Sequence, residues 1–382
     1  MQGNKKKVLL VGQISPTTTV VFKTFSLLSH IDFYYIDINC QSAGSFKGLL
    51  GDFCWLEYKK DWLEAVKNFS ESCEELYVVC VSYDVARRIY ALEKSNIKMM
   101  YASPSVIDIA QSKKLQNEYA QQSGFHLLNT YYSNETGFEP EQYKYPLVVR
   151  PVSEQNAADF KVEIVYKADE LKTLATKCDI VAQTFARGMK IVIHASRCSS
   201  GAISQFHFSI PISYAGFTVR MDRCALISQL VKPVETMLKL IDYVGVCHFE
   251  VIEENGQFYF LDLNLRLGGT TGKVAKLGYN ECFELLRINH IAAEPITQWT
   301  AGHHQHTVVS KIALIKAIVA LFRGQWKQTD YPHLQGYKLF SCLLKNIITG
   351  SDEIYSAGNA KIASYFLLDY ISRFLKLIKI KK

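Results

Sequence analysis

Apolar and polar positions follow two different periods along the chain. Val8 to Val11 is an unbroken apolar run, VLLV, followed by Gly12, a polar turn QISPTTT, an apolar helical stretch and a second strand at Phe33 to Asn39. ELYVVCV, ending at Val81, and KMMYA, ending at Ala102, continue the alternation, and SPS at Ser103 to Ser105 closes the segment. Strands that alternate with helical stretches predict parallel βαβ units, so residues 1–105 read as a small Rossmann-like domain. The glycine fingerprint G-x-G-x-x-G is absent, so this cue brings no nicotinamide or flavin site with it.

From Val106 the spacing of Leu115 and Tyr119 predicts a helix that Gly124 stops. YPLVVRPV then reads as a buried strand that presents Arg150 directly before a proline, which enforces extended geometry. A strand FKVEIVY, a helix ADELKTLATKC and one strand-like run, DIVAQTFARGMKIVIHA, come next; a helix around Ala225 to Asp242 leads into the stretch from Val244 to Val274. That stretch contains CHFEVI and FYFLDLNL separated by EENGQ, whose Asn-Gly step is a strong hairpin signal. Period-two alternation puts Asp262 and Asn264 on one face, with Glu250 on the partner strand. A carboxylate among Phe249, Val251, Phe260, Leu261 and Leu263 is costly unless it is paired. Oxygen ligands of this kind suit a hard cation, and Mg²⁺ is the best match for Glu250, Asp262 and Asn264.

Composition adds limits rather than chemistry. A 382-residue chain with 48% hydrophobic residues fits two or three globular domains. A formal charge of +7 without basic clusters interleaved by aromatics argues against nucleic acid as a partner. The ten cysteines are scattered singly, without a zinc spacing, and no leader precedes the first strand, so the reading is of reduced thiols in a cytoplasmic protein. Residues 291–382 form a partly helical region of unknown role. His303, His304 and His306 cluster there, but one regular element cannot turn all three toward one ion. KIALIKAIVALFRG fits a short apolar helix or a strand pair. The tail from Lys361 to Lys382 is amphipathic and basic; a helix packed on its own domain and a peripheral membrane contact both fit it.

In order along the chain, Lys113, Arg150, the Gln183 segment, HFE ending at Glu250, and DLNLRLGG from Asp262 resemble the ATP-grasp ligases, over roughly Val8 to Tyr279. Within them the motifs look most like the carboxylate-amine ligases of the L-amino-acid ligase and carnosine synthase type. The resemblance implies a mixed α/β architecture: a Rossmann-like pre-ATP-grasp domain at 1–105 and an ATP-grasp domain at 106–290, with lobes 106–182 and 183–290. It also implies ATP and Mg²⁺ as cofactors, and small-molecule carboxylate and amine substrates joined through an acyl phosphate. Lys113 and Arg150 would then meet the ATP phosphates, and Gln183, Phe185 and Ala186 the adenine. Glu250, Asp262 and Asn264 would hold metal, Arg266 would be catalytic, and His248, Gly268 and Gly269 would lie at the substrate.

The chain departs from the family pattern at three places. SEQNAAD after Arg150 lacks flap glycines, Lys190 stands where an acidic ribose contact is common, and Asp262 replaces the usual Glu. These departures carry a second reading, a nucleotide-binding protein with an interaction role; the basic tail carries a third, a ligase acting on a lipid- or glycan-linked acceptor. GGTTGK is not a P-loop, because the glycine that should stand five before Gly272 is Leu267 and the residue after Lys273 is Val274. Oligomeric state is not legible in these patterns.

Overall fold

Val8 to Val11 are fully buried and place β1 (Lys6–Gly12) at the centre of a parallel sheet. The computed structural model describes residues 5–39, 53–152, 162–214, 217–291, 306–324 and 336–353. It divides into two units, each built from separated stretches: Met1–Tyr101, Ile210–Arg223 and Arg266–Lys382 form the first, Ala102–Ser209 and Cys224–Leu265 the second. The sequence pattern had pointed to contiguous domains instead.

In the first unit β1 is joined by β2 (Ile31–Asp37), β3 (Cys54–Trp55), β4 (Leu76–Cys80) and β5 (Ile97–Met99), all parallel, in the order β3-β2-β1-β4-β5. Its first helices are α1 (Pro16–Phe25), α2 (Trp62–Glu71) and α3 (Tyr83–Tyr90). α1 begins inside the run expected to be a turn, because Ser15 and Thr18 form a reciprocal capping box and Pro16 occupies the first helical position. At the end of β2, Asp37 accepts from the N–H groups of Ile14 and Asn39 and from the Tyr35 hydroxyl. A carboxylate engaged in this way organises the loop after β1.

The second unit opens with α4 (Pro104–Gln111) and α5 (Lys113–Gln122) in place of one continuous helix. Ser112 leaves helical geometry (φ −108°, ψ 113°), and its hydroxyl accepts from Leu115 N–H to cap α5. Next come β6 (His126–Leu127), β7 (Thr130–Tyr132), β8 (Leu147–Pro151), β9 (Glu163–Val165), α6 (Ala168–Ala175), β10 (Ile180–Thr184) and β11 (Met189–Arg197). The last two strands divide the single run read from the sequence. Strands β7-β10-β8-β9 form a small antiparallel sheet whose core joins Leu147, Val149, Val165, Ile180 and Ala182 to Leu171 and Leu174 of α6. Within β12 (Ile203–Tyr214) the chain enters the first unit, adds β13 (Phe217–Arg223) and returns at Cys224. α7 (Ser228–Leu240) then leads to β14 (Gly245–Glu254) and β15 (Gln257–Asn264), which with β11, β6 and the first part of β12 make the unit's second sheet, ordered β12-β11-β14-β15-β6. The expected hairpin is present. Asn255 (φ 55°) and Gly256 (φ 80°) supply the left-handed turn that the Asn-Gly step favours.

Back in the first unit, α8 (Thr271–Lys276) and α9 (Glu281–Ile288) pack on α1. β16 (Thr307–Val309), α10 (Lys311–Phe322), α11 (Gly336–Thr349) and β17 (Ser351–Asp352) complete it. KIALIKAIVALF is therefore a helix. β16 pairs with β13, and a buried ion pair joins Lys273 to Glu353. No helix among the described residues is long and apolar enough to cross a membrane. The glycine-free loop after Arg150, His303, His304 and the basic tail lie outside the described residues.

Two outcomes test this packing. A Cβ on Gly188 would stand 1.6 Å from the Glu253 carbonyl oxygen, so Gly188→Ala is expected to cost about 1–3 kcal/mol in denaturant unfolding. His207 is buried, its Nδ1 accepts from Ile227 N–H, and burial holds its pKa at about 4 against the ordinary 6.5. The unfolded chain therefore binds the extra proton between these values, and stability falls as pH drops from 6.5 to 4. His207→Gln is expected to flatten that part of the stability–pH curve.

Candidate functional site

Two carboxylates face each other across the β14–β15 hairpin. Glu250 pairs directly with Asp262, and His248 with Asn264, just before the register shifts between Glu250 and Val251. Residues at i and i+2 of a strand share a face, so Asp262 and Asn264 lie together; the Asn264 amide donates to Asp262 Oδ2 at 3.2 Å. The structure thus brings the three expected metal ligands onto one surface. His248 sits across the strand pair from His194, with the two rings stacked 5.2 Å apart.

Each carboxylate has a lysine. Lys190 of β11 forms an ion pair with Glu250, and Lys113, the first residue of α5, with Asp262. Lys113 is 7% exposed and donates also to Leu261 O at 3.1 Å and to Gln116 Oε1 at 2.8 Å. Burial pulls its ammonium down to about 8, with Arg150 adding to the shift and Asp262 opposing it. Burial alone would raise Asp262, but the Lys113 and Arg150 cations outweigh it and hold the carboxyl at about 2. Glu250 follows the same balance: burial raises it, Lys190 lowers it more, and it lies below the usual carboxylate range.

Arg150, on β8, donates to Gln183 Oε1 at 3.1 Å, and its buried Nε has no acceptor among the described residues. The Gln183 amide donates onward to Thr130 Oγ1 at 3.2 Å, so this buried side chain orients the guanidinium. The N–H groups of Thr184 and Phe185 are committed to the carbonyls of Asn129 and Pro146. A main-chain hinge in the Gln183 segment therefore cannot rely on those two donors in this arrangement. Ala186 comes next, buried, at the end of the segment.

Arg266, Gly268 and Gly269 belong to the first unit. There the Arg266 guanidinium stands over the Tyr83 ring, 5.4 Å from its centroid. Gly268 N–H donates to Thr271 Oγ1, and Gly268 O accepts from Thr17 Oγ1. The N–H of Gly268, expected at the substrate, is thus already used by Thr271, which is itself bonded to the buried Glu281. A Cβ at Gly269 would meet nothing within 4 Å among the described residues, so no contact with them requires glycine there.

No family model and no curated protein matches the chain. Solved structures do. N5-carboxyaminoimidazole ribonucleotide synthetase from Thermotoga maritima superposes with a TM-score of 0.59 at 13% identity, covering 80% of each chain. The L-amino acid ligase from Bacillus licheniformis gives 0.57 at 18%, covering 80% of this chain and 79% of that one. The biotin carboxylase domain of a 2-oxoglutarate carboxylase from Hydrogenobacter thermophilus, solved with ADP, its magnesium salt and bicarbonate, gives 0.60 at 14%, covering 79% and 71%. The chain has the ATP-grasp fold.

Within this ATP-grasp fold, the second unit contributes both of its sheets to the cluster: Arg150 and Gln183 from the small one, Lys190, Glu250 and Asp262 from the larger. Sequence reasoning missed Gln116, which is 1% exposed. Its carbonyl oxygen accepts from Lys113 and from Leu263 N–H, while its NH₂ donates to the carbonyls of Ala110 and Leu263. One side chain thus ties α4, α5 and β15 together and fixes the lysine. Its place three residues after Lys113 on a helix was a usable signal. The partnership of Lys190 with Glu250 had none, because it depends on the β11–β14 pairing.

Gln116→Leu keeps the volume and strips every one of these bonds, leaving Leu263 N–H buried without its acceptor. It is expected to destabilise the protein by about 2–3 kcal/mol in chemical denaturation. A loss under about 0.5 kcal/mol would contradict the role assigned to it.

Proposed function

We propose that this chain is an ATP-dependent carboxylate-amine ligase, forming an amide through an acyl phosphate and yielding ADP and phosphate. The observation that carries the reading is the pair Glu250 and Asp262, opposite one another on the hairpin, each neutralised by a lysine from a different element. The oxygen donors of Glu250, Asp262 and Asn264 fit Mg²⁺, and the buried, acceptor-less Nε of Arg150 fits a phosphate oxygen. Bound Mg²⁺ would neutralise charge on the transferring phosphoryl group.

In this reading Lys113 and Lys190 act as place-holders, covering the carboxylates until nucleotide and metal arrive, then turning their charge toward phosphate oxygens. Arg150, oriented by Gln183, presents a fixed donor to the phosphates. Phe185 and Ala186 flank the adenine through packing and carbonyl groups. Arg266, on the resemblance, takes the acyl phosphate and the oxyanion formed when the amine attacks. His248 and Gly269 are assigned to the substrate side on the resemblance alone. The resident ion pairs also favour a second reading: a protein whose carboxylates stay closed by Lys113 and Lys190, so that it binds nucleotide without turnover.

Release of ADP from Mg-ATP across a panel of carboxylates and amines separates the two. Ligase activity is expected to fall at least about 100-fold in Glu250→Gln and in Asn264→Ala; unchanged rates would overturn the site. Tight Mg-ATP binding by calorimetry with no turnover across the panel would establish the second reading. The depressed Lys113 gives a further check, since its charged form is populated below about 8 in the free protein. kcat/KM is expected to fall as pH rises through about 8, and Lys113→Arg, which keeps its proton, to move that limb upward.

A further inference from the structure

The seam between α1 and α8 in the first unit brings two lysines together. A Cβ on Gly272 would stand 3.2 Å from Val20 Cγ2, so α8 lies against α1 there, and further on the Asn280 side-chain amide donates to Thr24 Oγ1 at 3.3 Å. From 20 to 24 and from 272 to 280 the two stretches therefore run side by side in the same sense. Lys23 stands three residues beyond Val20 and Lys276 four beyond Gly272, spacings that keep each on the seam side of its helix. They have advanced about 4.5 and 6 Å along the two axes, so their stems start at similar levels.

The two amines differ in what they touch. Lys276 donates to the carbonyl of Asp352. Lys23 is half-buried and has no hydrogen-bond or ion-pair partner among the described residues. The described carboxylates on the elements around it are committed elsewhere: Glu353 to Lys273, Glu281 to the Thr271 hydroxyl, Glu284 to Arg287 and Asp352 to Lys311 N–H. Burial pulls the Lys23 ammonium down to about 8, and the Lys276 charge adds to the shift. Burial lowers Lys276 as well, against the opposing pull of Asp352 and Glu353. At pH 7.4 about a fifth of Lys23 is therefore the neutral amine, against about one in a thousand for an ordinary lysine.

A neutral amine beside a fixed cation favours a reaction that turns the amine into an anion. We propose that Lys23 forms a carbamate with dissolved CO₂ and that Lys276 holds the product. The Nζ lone pair attacks the carbon of CO₂, one C–O π pair moves onto oxygen, and the nitrogen gives up a proton to water, leaving Nζ–COO⁻. Two like charges thereby become an ion pair across the α1–α8 seam. Lys276 has three donors, so it can keep its bond to the Asp352 carbonyl. An acyl donor would instead leave a neutral amide, which gives Lys276 no counter-charge. The proposal is independent of the ligase reading, because neither lysine belongs to the carboxylate cluster.

Trapping with triethyloxonium tests it, on the full chain equilibrated with isotope-labelled CO₂ and bicarbonate at pH 7.4 and read by peptide mass spectrometry. The ethylated carbamate is expected on Lys23 at least about tenfold above the level on exposed Lys59 and Lys60. Lys276→Met removes the counter-cation and returns the proton to Lys23, so it is expected to cut trapping at least about fivefold, with an unchanged circular dichroism spectrum. Lys276→Arg is expected to restore it. Competitive labelling of the wild-type amine as a function of pH adds a readout that needs no variant, with a midpoint expected near 8. A midpoint near 10.5, trapping on Lys23 no greater than on Lys59, or trapping that a folded Lys276→Met leaves unchanged would each overturn the proposal.

Discussion

Placing two carboxylates directly opposite each other on neighbouring strands is unfavourable twice over: like charges repel across the pair, and partial burial removes the water that would screen them. Glu250 and Asp262 are held in that position, and the elements around them supply the compensation. Lys190 must come from β11, so β11 must lie beside β14; Lys113 must come from the start of α5, so the helix must begin at that point against β15. Arg150 adds a third cation from the other sheet of the same unit, and its charge is felt at Asp262. The cluster therefore fixes how α5 and the strands around the hairpin are arranged, as well as what chemistry the hairpin presents.

Features set by neighbouring residues were legible in the sequence. Asn255 and Gly256 adopt the positive φ that an Asn-Gly step favours, which fixes the hairpin and with it the shared face of Asp262 and Asn264. Where local preferences compete, the pattern misleads. Ser112 sits in a run with helical spacing but also caps α5, and the cap prevails; Ser15 and Thr18 convert an apparent turn into the first turn of α1 in the same way. The apolar run from Lys311 offered no polar face from which a period could be read, so helix and strand pair were indistinguishable there. Side-chain partners far apart in sequence were out of reach for a different reason. Lys113 and Asp262 are 149 positions apart, and only the completed sheet brings them together.

The lysines change what the carboxylate cluster means. A hairpin with two unpaired acids would be a standing electrostatic cost, removed only by a metal. With Lys113 and Lys190 in place the folded protein bears no such cost, and under the proposed function ligand binding would be an exchange of partners: carboxylate to metal, ammonium to phosphate. Such an exchange would keep the local charge balanced before and after, so affinity would reflect the difference between two paired states rather than relief of a bare charge.

The chain crosses between its two units after Tyr101, Ser209, Arg223 and Leu265, so neither unit is a continuous piece of polypeptide. During synthesis the parallel sheet of the first unit can form once β5 has emerged, yet the ion pair between Lys273 and Glu353 that closes the same unit waits for nearly the whole chain. For the intervening period the nascent protein carries a half-built unit with unfilled apolar surface. A gene truncated within this span leaves the first unit incomplete, so a rearrangement that preserves both units has to carry the entire stretch from β1 to Glu353.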